Sequence, residues 1–157
     1  MTVNVLFVCL GNICRSPTAH GIFEQKVKNA GLQDEIVIDS AGTGGWHIGK
    51  SPDARASQFA LERGYDLSHL RARQTDPSDF LTYQYILAMD NANLADLKRM
   101  KPSSYKGHLG LFLDFGDNPQ YREVPDPYYG GDDGFQLVLD LVESACDGLL
   151  LDIRHQL

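Results

Sequence analysis

Apolar positions along the chain fall into short continuous runs that alternate with longer stretches of helical spacing. Val3-Asn4-Val5-Leu6-Phe7-Val8 is apolar with little alternation, the pattern of a strand buried on both faces of a parallel sheet. From Pro17 to about Ala30, residues Ala19, Ile22, Phe23, Val27 and Ala30 share one helical face, and Gly31 stops the helix. Ser16 reads as the N-cap and Pro17 as the first helical residue, because proline disfavours α geometry in the residue before it. Glu35 to Ala41 predicts a second strand. Ser51-Pro52-Asp53 repeats the serine-proline start and opens a helix to about Arg63, ended by Gly64. Thr75-Asp76-Pro77-Ser78-Asp79-Phe80 predicts one further helical turn, and Tyr85 to Met89 a third strand. Asp90 or Asn91 then caps a helix carrying Leu94, Leu97 and Met100, which Pro102 ends. His108 to Leu113 predicts a short fourth strand, followed by a long polar loop through Gly116, Pro119, Pro125 and Pro127. A last helix, from about Gly134 to Arg154, carries Phe135, Val138, Leu139, Val142, Cys146, Leu149, Leu150 and Ile153 on its apolar face.

Strands alternating with helices predict an α/β fold: a small, doubly wound, four-stranded parallel sheet with helices on both faces. Ligands in such sheets bind at the carboxyl ends of the strands. Cys9, Ser40 and Asp90 fall at or just past three of those ends, and the fourth strand leads into the loop that holds Asp126.

Composition narrows the function. The 157 residues suit a single domain over 1–157, and 43% hydrophobic with 22% charged residues is ordinary for a globular protein. A formal net charge of -7 argues against nucleic-acid or anionic-membrane partners while allowing a local positive site. The first apolar run is too short for a signal-peptide core and has no basic segment before it, and no stretch is long enough to span a bilayer. Three cysteines, Cys9, Cys14 and Cys146, do not make a secreted disulfide framework, so a cytoplasmic location is expected. Their spacing does not suggest zinc, and neither a metal nor another cofactor is expected.

The candidate chemistry lies in Val8-Cys9-Leu10-Gly11-Asn12-Ile13-Cys14-Arg15-Ser16-Pro17. A cysteine ends a buried strand, and an arginine follows six residues later where a helix starts. Gly11 and Asn12, both tolerant of positive φ, lie between them. A helix N-terminus and a nearby cation both favour a thiolate, and Cys9 is expected to have both. Successive N–H groups from Leu10 to Arg15 can form a nest around a tetrahedral oxyanion, and the planar fork of Arg15 matches two phosphate oxygens. The reaction this suggests is phosphoryl transfer to Cys9 followed by hydrolysis.

The same loop resembles the active-site loop of the low-molecular-weight protein tyrosine phosphatases, and Asp126-Pro127-Tyr128-Tyr129 resembles that family's general-acid loop. Asp39 to Thr43, Ser68-His69 and the Met89-Asp90 strand end are similar to further family segments in the same order. The resemblance implies metal-free hydrolysis of phosphotyrosine in proteins, with inorganic phosphate as product and activity on small aryl phosphates. It implies Cys9 as nucleophile, Arg15 as phosphate ligand and Asp126 as general acid. It also implies that Asn12, Ser16, Ser40 and His69 hold the loop, and that Trp46, Tyr128 and Tyr129 wall the substrate pocket. It supports Cys14 as the partner of Cys9 in a reversible, protective disulfide.

Rival readings are weaker. Gly44-Gly45-Trp46-His47-Ile48-Gly49-Lys50-Ser51 matches the phosphate loop of nucleoside triphosphatases, but that loop needs its Lys and Ser in the first helical turn, and Pro52 pushes Ser51 towards extended geometry. Arsenate reduction on this fold relays electrons through further cysteines, and the only one left, Cys146, lies on an apolar stripe. Protein-arginine phosphatases resemble the family but carry threonine at the position of Ile13. A module that merely binds phosphate has no use for a cysteine at the base of the loop.

Overall fold

β1 (Val3–Cys9) is buried along almost its whole length, as its apolar run requires. The structure, a computed structural model, describes residues 2–127 and 131–157. Within these, β1 is followed by α1 (Arg15–Asn29), β2 (Ile36–Gly42), α2 (Ala54–Glu62), α3 (Asp79–Thr82), β3 (Tyr85–Ala88), α4 (Asn91–Met100), β4 (His108–Leu111), a 3-10 turn (Phe112–Phe115) and α5 (Gly131–Arg154). The four strands are parallel, in the order β2-β1-β3-β4, so the expected α/β sheet is the one the chain forms. Among the described residues no helix is long and apolar enough to cross a membrane.

Alternation along β1 sorts the core into two layers. Val3, Val5, Phe7 and Cys9 pack with Ile22, Phe23 and Val27 of α1 and Val138, Val142 and Leu149 of α5. Leu6 and Val8 pack on the opposite face with Phe80 of α3 and Leu97 of α4. Phe7 lies between Phe23 and Phe112, edge-to-face with each at centroid separations of 5.7 and 5.1 Å. The chain leaves β1 for β2 on one side and returns to β3 on the other, which puts the topological switch point, and the usual ligand crevice, between β1 and β3.

Two helix starts differ from expectation. α1 begins at Arg15, with Cys14 in the cap position and no side-chain cap, so Ser16 is inside the helix and Pro17 is its third residue. The missing N–H of Pro17 falls among first-turn amides that have no intrahelical partner, so the proline breaks nothing there. Thr18 secures the turn, donating its N–H and its hydroxyl to the Cys14 carbonyl at 3.2 and 2.7 Å. At α2 the cap is Asp53, whose carboxylate accepts from Ala56 N at 3.0 Å, rather than Ser51. Lys50 and Ser51 still lie outside the helix, which is the point that told against the nucleotide-binding loop.

α5 starts three residues earlier than its apolar stripe indicates, with Asp132 and Asp133 in its first turn, where negative charge is favoured. It buries Leu141 and Ala145 as well as the expected face, and leaves Leu150 only half-buried. Gly148 is its point of closest approach to the 3-10 turn: a Cβ there would stand 1.9 Å from the Phe115 carbonyl oxygen. Backbone cannot give way as a side-chain tip can. Gly148→Ala is therefore expected to destabilise the fold by about 1–3 kcal/mol, seen as a lower urea midpoint at unchanged slope. A midpoint equal to wild type would contradict this.

Candidate active site

Cys9 ends β1, and the chain turns through residues 10–14 into α1. Asn12 makes the turn with φ 58, the one non-glycine at positive φ among the described residues, a conformation its short polar side chain tolerates. Both ends of that side chain are engaged. Its Oδ1 accepts from Arg73 N at 3.0 Å, which fixes the amide orientation, and its Nδ2 donates to Ser16 Oγ at 2.8 Å. Asn12 N donates to Cys9 Sγ at 3.2 Å, and Ser16 Oγ lies 3.0 Å from the same sulfur. Because Ser16 Oγ already accepts from Asn12, its own proton is available to the sulfur. The buried sulfur thus faces an N–H and a hydroxyl, both of which stabilise negative charge on it. This is why Ser16 does not cap the helix: its hydroxyl is engaged with the cysteine.

The carbonyls of the loop are taken up from outside it. Cys9 O accepts from Thr43 N at 2.9 Å, Leu10 O from Gly44 N at 2.9 Å and Ile13 O from Asp53 N at 2.6 Å. Gly42 permits this approach, since a Cβ there would lie 2.7 Å from Leu10 O. No backbone hydrogen bond among the described residues uses the N–H groups of Leu10, Gly11, Ile13, Cys14 or Arg15. Consecutive amides left over around a turn at a helix N-terminus make an anion cradle.

Arg15, the first residue of α1, reaches back across the switch point. Its Nη1 donates to Asp90 Oδ2 at 2.8 Å and to the Val124 carbonyl at 3.1 Å. Burial works against the cation, but the Asp90 hydrogen bond and the negative charges of Cys9, Asp90 and Asp126 outweigh it and hold the guanidinium pKa above its usual value. One nitrogen fixes the group. Nε and Nη2 hydrogen-bond to nothing among the described residues and offer two parallel donors for two oxygens. Asp90 serves twice, since its Oδ1 accepts from Asn93 N at 2.8 Å and caps α4.

Val124 also donates its N–H to Met89 O at 2.8 Å, which lays the segment before Asp126 across the end of β3. Asp126 is exposed, and its charge is felt by both Arg15 and Cys14. Burial, then the negative charges of Asp53, Cys9 and Asp126, push the Cys14 thiol well above its ordinary pKa, so it is protonated at neutral pH. Cys9, Cys14 and Cys146 are all free thiols.

Both the sequence and the fold that carry this site are matched in known proteins. The family model for low molecular weight phosphotyrosine protein phosphatase fits residues 4–157. The chain belongs to that family. The fission yeast Schizosaccharomyces pombe has a low molecular weight phosphotyrosine protein phosphatase 46% identical to it, covering 85% of each chain. A low molecular weight protein-tyrosine-phosphatase of Streptomyces coelicolor is 43% identical, over 99% of this chain and 96% of its own. The crystal structure of a protein tyrosine phosphatase from Entamoeba histolytica superimposes with a TM-score of 0.93 at 39% identity, covering 99% of both chains.

Within this low molecular weight phosphatase, the residues expected from sequence are gathered unevenly. Cys9, Leu10, Gly11, Asn12, Ile13, Cys14, Arg15 and Ser16 form one loop, in which Arg15 and Cys14 feel the charge of Asp126. Trp46, 69% exposed, lies in the segment joined to the loop through Gly44 N, and Leu10 is half-exposed. Tyr128 and Tyr129 lie outside the described residues. Ser40 and His69, expected to support the loop, hydrogen-bond to side chains of α1 rather than to the loop itself. Ser40 Oγ pairs with His20 Nδ1 at 3.0 Å, and the exposed His69 pairs with Glu24 Oε1 at 2.8 Å. Ser40 points this way because β2 turns its even-numbered side chains towards α1, and His69 sits exposed on a surface turn. Three further parts of the site are missed by sequence reasoning: Asp90 as partner of Arg15, the Val124 carbonyl, and the Arg73 backbone N–H. Asp90 is legible as a cap, but its second role needs β3 beside β1. The other two are backbone groups and carry no residue-type signal.

Proposed function

We propose that the chain hydrolyses phosphotyrosine in proteins, and small aryl phosphates, through a phosphocysteine intermediate. The observation that carries this reading is the Cys9 sulfur at the base of the loop, 3.2 Å from Asn12 N and 3.0 Å from Ser16 Oγ, with Arg15 fixed alongside by Asp90. Cys9 attacks phosphorus in line, the bond from phosphorus to the phenolic oxygen breaks, and Asp126 gives that oxygen a proton. Water then attacks the phosphocysteine, Asp126 takes up a proton from it, and the thiolate leaves towards the Ser16 hydroxyl with inorganic phosphate released. The cradle amides and the fork of Arg15 hold the equatorial oxygens throughout, so positioning and charge stabilisation supply most of the acceleration. Trp46 takes the pocket-wall role that the resemblance implies for it. Ile13 in place of threonine favours tyrosine over arginine as the phosphorylated residue. Cys14, in the same loop, is the partner for a reversible disulfide that spares Cys9 from over-oxidation. A reducing cytoplasm suits three free thiols.

Turnover of a series of aryl phosphates, measured with a chelator present, tests the reaction. Asp126→Ala is expected to lower kcat by about 10²–10³-fold for poor leaving groups and much less for good ones. Equal losses across the series would remove the general-acid role, and chelator-sensitive turnover would overturn the mechanism.

A further inference from the structure

Ser16, His20 and Glu24 are spaced four residues apart and so line one face of α1, a polar stripe running from the Cys9 sulfur to the surface. Ser16 Oγ faces Cys9 Sγ. One turn on, His20 is 6% exposed, and its Nδ1 lies 3.0 Å from Ser40 Oγ on β2. One turn further, Glu24 Oε2 approaches His20 Nε2 at 3.5 Å while its Oε1 holds His69 at 2.8 Å. The imidazole and the Ser40 hydroxyl can pair in either sense, ring nitrogen to hydroxyl or hydroxyl to ring nitrogen, so the tie at Nδ1 holds in both tautomers. Burial opposes the Glu24 charge, but its hydrogen bonds to His20 and His69 outweigh this and lower its pKa, so the carboxylate is ionised at neutral pH.

Three chain segments make the cradle: the end of β1, the start of α1 and the end of β2. β1 and β2 are joined by their parallel ladder and by Thr43 N to Cys9 O at 2.9 Å. β1 and α1 are joined by Cys9 and Ser16. Between α1 and β2, the bond from Ser16 Oγ to Ala41 O is 3.5 Å, too long to hold much. The well-formed polar tie on this side is His20 to Ser40, adjacent in sequence to Ala41.

We propose that His20 is a positioning residue for the phosphate loop, fixing the end of β2 against α1 through Ser40 so that Ser16 and Asn12 keep their places at the Cys9 sulfur. This rests on the phosphatase reading and gives the supporting role, which the resemblance assigned to His69, to a residue on α1.

The test compares His20→Leu, His20→Gln, Ser40→Ala and the double variant His20→Leu/Ser40→Ala, well below their melting temperatures. Affinity for inorganic phosphate is read from protection of Cys9 against iodoacetate by peptide mapping, and kcat from an aryl phosphate. His20→Leu is expected to weaken phosphate binding and lower kcat, each by about tenfold. His20→Gln, whose amide can still pair with Ser40, should recover most of both. Ser40→Ala should match His20→Leu, and the double variant should lose no more than either single one. A folded His20→Leu protein with wild-type phosphate affinity and kcat overturns the proposal, as does a Gln variant no better than Leu, or additive losses. If His20→Leu does not fold, wild-type phosphate affinity in Ser40→Ala overturns it alone. A wild-type protein that binds phosphate without turning over aryl phosphates would sink the phosphatase reading and leave the affinity comparison to decide on His20.

Discussion

Cys9→Ser is expected to reduce aryl-phosphate turnover by about four orders of magnitude or more, equivalent to roughly 5 kcal/mol of transition-state stabilisation. The substitution removes one polarisable atom and leaves the surroundings intact. A hydroxyl at position 9 would sit beside Asn12 N and Ser16 Oγ, but it does not ionise where a thiol can. The loop itself should survive, because Asn12 is fixed by Arg73 and Ser16, and the outer carbonyls by Thr43, Gly44 and Asp53. Cys9→Ser should therefore still bind inorganic phosphate within a few-fold of wild type. Denaturing quench of the wild-type reaction, followed by mass spectrometry, should locate a phosphoryl adduct on Cys9. Substantial turnover in Cys9→Ser, or an adduct at another residue, would refute nucleophilic catalysis by this cysteine.

Arg15→Lys is expected to cost about 10³-fold in kcat/KM, or about 4 kcal/mol. Charge is conserved in this change, so the loss isolates geometry. In the wild type, Nη1 is committed to Asp90 and Val124 O, and the remaining edge of the same rigid plane presents Nε and Nη2. An ammonium group has no second edge. If lysine reaches Asp90 it turns from the phosphate, and if it reaches the phosphate it leaves Asp90 without its partner. The drop should fall mostly in kcat, because the fork matters most when charge spreads over the equatorial oxygens. A lysine variant within tenfold of wild type would show that Arg15 acts only as a point charge.

How far the sequence predicts the molecule depends on which interactions decide each element. The run Val3 to Val8 is legible because both faces of a central strand are buried, and nothing competes with that demand. The starts of α1 and α2 are misread from the same serine-proline signal for different reasons. At Ser51 a better acceptor, Asp53, stands two residues on and takes the Ala56 N–H. At Ser16 the hydroxyl is drawn to Cys9 and Asn12, so a local rule is broken where the chemistry is. The Cys9 to Ser16 loop is legible as a site because its residues are contiguous. The partners of Ser40 and His69 are not, since a segment's likeness to a family places the backbone without saying which side chain meets which. His20 lies mid-helix and carries no linear signal beyond its spacing from Ser16 and Glu24.

The absence of a side-chain cap on α1 bears on turnover as well as on folding. On the proposed mechanism, the first-turn amides that a cap would otherwise satisfy, together with those of the loop, bind the phosphate dianion. They grip substrate and product alike. Binding that is equal in the ground state, the transition state and the released product deepens the wells on both sides of the chemical step without lowering the barrier between them. Product phosphate is thus a natural competitor of the substrate. The advantage of the transition state over either well must come from the groups that respond to charge moving along the in-line axis: Ser16 on the sulfur, Arg15 on the equatorial oxygens and Asp126 on the phenol.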